Sequence, residues 1–176
     1  MNYSQVNLCD VANGIGCRTS LFVSGCTHHC KGCFNKKTWD FDYGRPFTKE
    51  IWDVIIRESD RSYVDGFTIL GGEPMEAVNQ KALLPFIKQV KSELPGKTIW
   101  VYSGYTWEEL MDPDSKCHSN DTDNILALTD ILVDGEYIAS LRDPSLRFRG
   151  SLNQRIIDVQ ESLKEGRAVI SRYQGE

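Results

Sequence analysis

Four short apolar runs, each cut off by a turn bearing glycine or cysteine, constrain the fold of this chain more than any other feature. Leu21-Phe22-Val23 runs into Ser24-Gly25 and a cysteine-rich loop, and Gly66-Phe67-Thr68-Ile69-Leu70 stops at Gly71-Gly72. Thr98-Ile99-Trp100-Val101-Tyr102 stops at Ser103-Gly104, and Ile131-Leu132-Val133 at Asp134-Gly135. Runs this short, bounded by turn residues, read as buried strands. Helical periodicity separates them. Thr48 is placed to cap a helix reaching about Arg57, with Ile51, Trp52, Val54 and Ile55 on one face. Leu83, Phe86, Ile87, Val90 and Leu94 share another face, with Pro85 expected in the first turn and Pro95-Gly96 as the stop. A short helix through Trp107, Leu110 and Met111 follows Thr106.

Strands alternating with helices predict an α/β fold with a mostly parallel sheet. In such sheets ligands bind beyond the carboxyl ends of the strands. All four turns follow strands, so the cysteine loop, Gly71-Gly72, Ser103-Gly104 and Asp134-Gly135 are expected on one sheet edge. Residues 112–124 are polar and aperiodic and read as an exposed loop. In the tail, Arg155–Val159 and Arg167–Ile170 are two apolar stretches for which hairpin and helix both stay open. With no repeat or linker, 176 residues read as one domain, 1–176, ending in a variable tail from 158.

The second constraint is Cys26, Cys30 and Cys33, a C-x3-C-x2-C spacing. Three thiolates in one tight loop can hold three irons of a [4Fe–4S] cubane and leave the fourth iron open to a substrate. The remaining cysteines do not change this reading. Six cysteines without a visible export signal, three of them this close together, point to metal ligation in a reducing compartment, and so to the cytoplasm. A net charge of −5 argues against general nucleic-acid or anionic-membrane binding. No apolar run approaches the roughly 20 residues that span a bilayer.

Gly71-Gly72-Glu73-Pro74 is the third constraint. Two glycines allow close backbone approach, so the turn can offer carbonyls and N–H groups to an ammonium or carboxylate, with Glu73 adding charge.

Together these residues resemble the radical S-adenosylmethionine (SAM) superfamily, whose signature is C-x3-C-x2-C followed by a Gly-Gly-Glu-Pro-like strand end. Within it the chain is similar to the activating enzymes of anaerobic (class III) ribonucleotide reductase. Asn13-Gly14-Ile15-Gly16, Cys33-Phe34-Asn35-Lys36, Lys97 to Tyr105, Leu132-Val133-Asp134-Gly135 and Arg149-Gly150-Ser151-Leu152-Asn153-Gln154 carry that likeness.

The resemblance implies a compact partial (β/α) barrel with an open side. Cys26, Cys30 and Cys33 would ligate the [4Fe–4S] cluster, with SAM on the open iron. A flavodoxin-like donor would supply an electron. The 5′-deoxyadenosyl radical released from SAM would take a hydrogen atom from a glycine of the reductase large subunit. It further implies Gly71, Gly72 and Glu73 at the methionine ammonium, and Tyr102, Ser103 and Gly104 at the ribose or carboxylate. Gly32, Cys33 and Phe34 would lie beside the adenine, and Asp134 would order the site or cap its turn. Gly32 stands where many members carry an aromatic residue, and Ile15 where a proline is expected.

Other residues read more plainly. His28 and His29 are loop residues tuning local charge, and Cys9 and Cys17 small buried apolar residues. Cys117-His118 belongs to the exposed loop. Trp39, Trp52, Trp100 and Trp107 pack the core or an interface. Arg18, Arg149, Asn153 and Gln154 either contact a partner or stabilise surface turns. Two other functions remain as alternatives: activation of another glycyl-radical enzyme of the pyruvate formate-lyase type, and a zinc-binding interaction module.

Overall fold

The strand signals resolve into one seven-stranded sheet. The computed structural model describes residues 1–175. The strands are β1 (Asn2–Asp10), β2 (Cys17–Val23), β3 (Arg45–Pro46), β4 (Val64–Gly71), β5 (Thr98–Tyr102), β6 (Ile131–Asp134) and β7 (Arg155–Asp158). The α-helices are α1 (Lys49–Ser59), α2 (Ala77–Glu93), α3 (Trp107–Met111), α4 (Thr122–Leu128) and α5 (Val159–Glu165).

The sheet order is β3-β1-β2-β4-β5-β6-β7, and the sheet is open. The four strands read from sequence, β2, β4, β5 and β6, pair in parallel at its centre. Both flanks are antiparallel: β3 on β1, β1 on β2, and β7 on β6. The sheet is therefore mixed rather than mostly parallel. Its flanking strands join their neighbours without a crossover helix, which antiparallel pairing permits.

Period-two alternation assigns the two faces. Leu21, Val23, Phe67, Ile69, Ile99, Val101 and Leu132 face the helices and join one core with Leu83, Phe86, Ile87 and Val90 of α2. Trp100, Ile131, Val133 and Ile156 face the other way and pack with Phe148. Tyr102 and Tyr173 lean on this second cluster, where the Tyr173 ring lies 5.5 Å from that of Trp100. The tail thus folds back over the second face of the sheet. Arg155–Asp158 is a strand, whereas Arg167–Ile170 contributes only an isolated bridge between Ile170 and Ile157.

Several sequence expectations change. Pro85 lies inside α2, not in its first turn. It is exposed, so water can serve the carbonyl its missing N–H abandons. The polar segment 112–124 is not an exposed loop throughout. Cys117 is 1% exposed and sits in the helix-side core, and α4 begins within the segment at Thr122. Gln80 of α2 draws the segment in, accepting from Ser119 Oγ and Thr122 Oγ1 (both 2.7 Å) and donating to the Cys117 carbonyl (2.7 Å). Cys9 and Cys17 are not buried; they pair as a disulfide between β1 and β2, with Cα atoms 5.4 Å apart.

Arg18 is no surface residue. It is 1% exposed, and its five hydrogen bonds go to neutral oxygens of Ile15, Phe67, Thr68 and Thr98. Burial draws its pKa down to about 10.

Candidate cluster and cofactor site

Gly71, at φ +113°, ends β4 where an added Cβ would lie 2.7 Å from the Val23 nitrogen. Gly72 follows, and a Cβ there would lie 2.6 Å from the Gly25 carbonyl oxygen. Only glycine lets this turn press against the start of the cysteine loop. Gly72 N–H donates to the Val23 carbonyl and Glu73 N–H to that of Gly25, both at 2.8 Å. On the other side of the loop, Gly25 N–H donates to the Thr38 carbonyl (2.8 Å) and Cys26 N–H to that of Trp39 (3.2 Å). Asn79 of α2 crosses below, giving its amide to the Ser24 (3.0 Å) and Glu73 (2.8 Å) carbonyls.

Beyond these strand ends lies an open cavity of about 900 Å³. Cys26, Cys30 and Cys33 all line it. Their thiols are free; Cys26 is buried and the other two partly so. Burial pushes the Cys26 thiol up to about 12, reinforced by the Glu73 charge, and the Cys30 thiol up to about 11, reinforced by Glu136. Both are therefore protonated near neutral pH without metal, and iron binding would release their protons.

The donor set fits a cluster. Three soft thiol ligands on one loop match iron–sulfur ligation. Among the described residues no three His, Cys, Asp or Glu side chains converge on a point one ion could occupy, as a mononuclear zinc site would need.

Gly32, Phe34, Gly71, Gly72, Glu73, Tyr102, Ser103 and Gly104 line the same cavity. Phe34 is 88% exposed at its rim. Leu70, Val133 and Phe148 supply apolar wall. The Tyr102 hydroxyl is buried and has no hydrogen-bond partner among the described residues, and burial raises its pKa.

Asp134 is placed differently. It is fully buried and absent from the cavity wall. Its carboxylate accepts from Trp107 N–H (2.7 Å) and from Arg155 (3.0 and 2.5 Å), so it orders the β6 end and the start of α3. Arg155 also clamps Glu108, whose carboxyl it holds below the usual 4.5.

Other wall residues lie outside the expected site set. Trp39, read as core or interface, lines the cavity and stacks on His29 at 4.6 Å. Ala12 and Asn13 reach it from the β1–β2 loop, and Thr68 Oγ1 holds the Asn13 carbonyl at 2.7 Å. Arg149 and Gln154 line it too. They belong to a self-bonded turn in which Arg149 donates to the Gln154 carbonyl and Gln154 Oε1 accepts from Gly150 N–H.

His28 was expected only to tune charge. Its Nε2 instead lies 3.1 Å from Glu73 Oε2, and its ring 4.3 Å from that of Tyr105. Burial opposes a charge on His28, but the hydrogen bond and charge of Glu73 outweigh it, so its pKa stands above 6.5.

Fold and site together describe an α/β protein with a loop of three free cysteines on an open cavity at the carboxyl edge of its sheet. A family model described as a 4Fe-4S single cluster domain matches residues 12–157. The anaerobic ribonucleoside-triphosphate reductase-activating protein of Haemophilus influenzae is 44% identical over 158 residues, covering 89% of this chain and 97% of its own. That of Escherichia coli K12 is 40% identical over 156 residues (88% and 96%), and that of phage T4 35% over 156 residues (89% and 93%). The chain belongs to the 4Fe-4S single cluster domain family, among the anaerobic ribonucleoside-triphosphate reductase-activating proteins.

Proposed function

We propose that this protein activates an anaerobic ribonucleotide reductase as a single-domain radical-SAM enzyme of partial (β/α) barrel type. The observation that carries the reading is the meeting of three free cysteines and the Gly71-Gly72 and Ser103-Gly104 turns on one open cavity. Cys26, Cys30 and Cys33 would hold a [4Fe–4S] cluster, which, with a flavodoxin-like donor, would supply the electron for reductive cleavage of SAM to methionine and 5′-deoxyadenosyl, the group that would take hydrogen from a glycine of the reductase.

The chain's own groups bind and orient. The Gly71-Gly72-Glu73 turn offers backbone to the methionine ammonium without an intervening Cβ. Ser103, Gly104 and the Tyr102 hydroxyl face the ribose or carboxylate, and Gly32, Cys33 and Phe34 flank the adenine. Asp134 keeps the β6 end in place behind them. Leu70, Val133 and Phe148 give the cavity an apolar wall that would help exclude water from a bound cofactor. The open side admits a loop of a protein substrate, and the reaction belongs in the reducing cytoplasm.

The test is anaerobic reconstitution with iron and sulfide, followed by SAM, reductant and an anaerobic reductase large subunit. A glycyl-radical EPR doublet on the reductase, with methionine and 5′-deoxyadenosine released, is expected. Iron-loaded protein that yields neither would overturn the proposal.

A further inference from the structure

Glu73 occupies the acidic position of the Gly-Gly-Glu-Pro turn, where a charge could meet a ligand's ammonium. Its surroundings point elsewhere. The residue is 1% exposed. Oε1 accepts from Met75 N–H at 2.8 Å and from Ser103 Oγ at 2.9 Å. Oε2 accepts from Gly104 N–H at 2.6 Å and lies 3.1 Å from His28 Nε2. A carboxylate has about four acceptor directions, and all are taken by the chain itself.

These partners come from three places: the β4–α2 connection, the end of β5, and the cysteine loop. His28 is the cysteine-loop partner. A Cβ on Gly104 would lie 2.6 Å from its imidazole, so the glycine makes the space in which the ring lies against Tyr105. A second tie sits one residue earlier. Thr27 gives its N–H (2.8 Å) and hydroxyl (2.6 Å) to Glu76 Oε1. Residues 27 and 28, between Cys26 and Cys30, are thereby anchored to groups 45 and 49 positions away. Ordering a free loop costs about 1–2 kcal/mol per residue. A loop already held does not incur that cost when iron binds.

We propose that Glu73 and His28 are positioning residues: the Glu73 carboxylate, rather than binding a ligand, latches the cysteine loop to the ends of β4 and β5 through His28, so that the cysteines stand in place before iron arrives. The latch is a property of the metal-free chain. It rests on the proposed function only for the identity of the group the loop receives.

Amide hydrogen exchange on the metal-free protein tests it, with residues 26–33 as the reporter and the β4 and β5 amides as the control for folding. His28→Leu is expected to speed exchange across 26–33 by about tenfold or more, the scale of a lost hydrogen bond to a charged group. Exchange in β4 and β5 stays at the wild-type rate. His28→Gln, whose amide can still donate to the carboxylate, restores protection to within about threefold. After reconstitution, His28→Leu loses iron to a chelator faster by a similar factor, and His28→Gln does not. Thr27→Val, which deletes an exposed hydroxyl, gives a smaller acceleration in the same residues and reports on the anchoring if His28→Leu does not fold.

The proposal is overturned if loop exchange is unchanged in His28→Leu. It is equally overturned if Glu73→Gln abolishes SAM binding while loop exchange and iron retention stay wild-type, for then the carboxylate is a ligand group. Absence of SAM cleavage by the wild-type protein would sink the proposed function and leave the exchange result standing.

Discussion

Replacing Arg18 with leucine tests how the second face of the sheet is held. The guanidinium makes five hydrogen bonds, the shortest at 2.7 Å to Thr68 Oγ1 and to the Phe67 carbonyl, and none to a carboxylate. Its pKa, drawn from 12.5 to about 10 by burial and kept from falling further by Tyr102, Asp130 and Asp65, corresponds to an order-of-magnitude net cost of about 3 kcal/mol for keeping the guanidinium charged where it lies. Hydrogen bonds from a charged donor contribute about 1.5 kcal/mol each at the lower end of their range. The bonds outweigh the burial, leaving a net contribution of roughly 4 kcal/mol.

Arg18→Leu is therefore expected to lower the urea unfolding free energy by about 4 kcal/mol, a large share of the roughly 5–15 kcal/mol typical of a domain. The thermal midpoint should fall by about 10 °C. Leucine fills part of the space but leaves the Phe67 and Thr98 carbonyls without this donor. Arg18→Lys should lose about half as much, since an ammonium cannot reproduce the fork of donors. A loss below about 1 kcal/mol for Arg18→Leu, with an unchanged urea slope, would refute the reasoning, because other groups would then be satisfying those carbonyls.

Gly71→Ala places a Cβ 2.7 Å from the Val23 backbone at a φ of +113° and should cost about 2 kcal/mol or more in thermal or urea unfolding. Gly96→Ala, with open space around it and no positive φ, should change stability by less than about 0.5 kcal/mol; equal effects would refute the steric argument. Glu108→Gln breaks a pair whose acid is 61% exposed, so the loss near neutral pH should be at most about 1 kcal/mol. Because Arg155 lowers the Glu108 pKa, that stabilisation is complete above 4.5 and drains away as pH falls through the lowered value. Urea midpoints of the two proteins should converge on acidification, and a widening gap would contradict the assignment.

Much of the fold was legible because its signals are local. β5 matches the expected strand residue for residue, and α3 begins after Thr106 with the capping box that Thr106 and Glu109 form. β1 was not legible. Only Tyr3 and Asp10 of its nine residues are buried, so no clean alternation marks it. Cys117 looked like loop because its neighbours are polar; Gln80, 37 residues earlier, pulls it into the core.

By itself the sequence determined the four parallel strands, the cysteine spacing that suits a cluster, and the glycines that let the turn after β4 approach the loop. These follow from short-range periodicity and from the absence of a Cβ, which any reader of the chain can see. Tertiary structure alone decided the antiparallel flanks, the burial of Arg18 against neutral oxygens, the pairing of Cys9 with Cys17, and the partners of Glu73. The reason is distance along the chain. A carboxylate 45 residues from its imidazole leaves no local trace, and what it binds is set only when the strand ends and the cysteine loop are brought together.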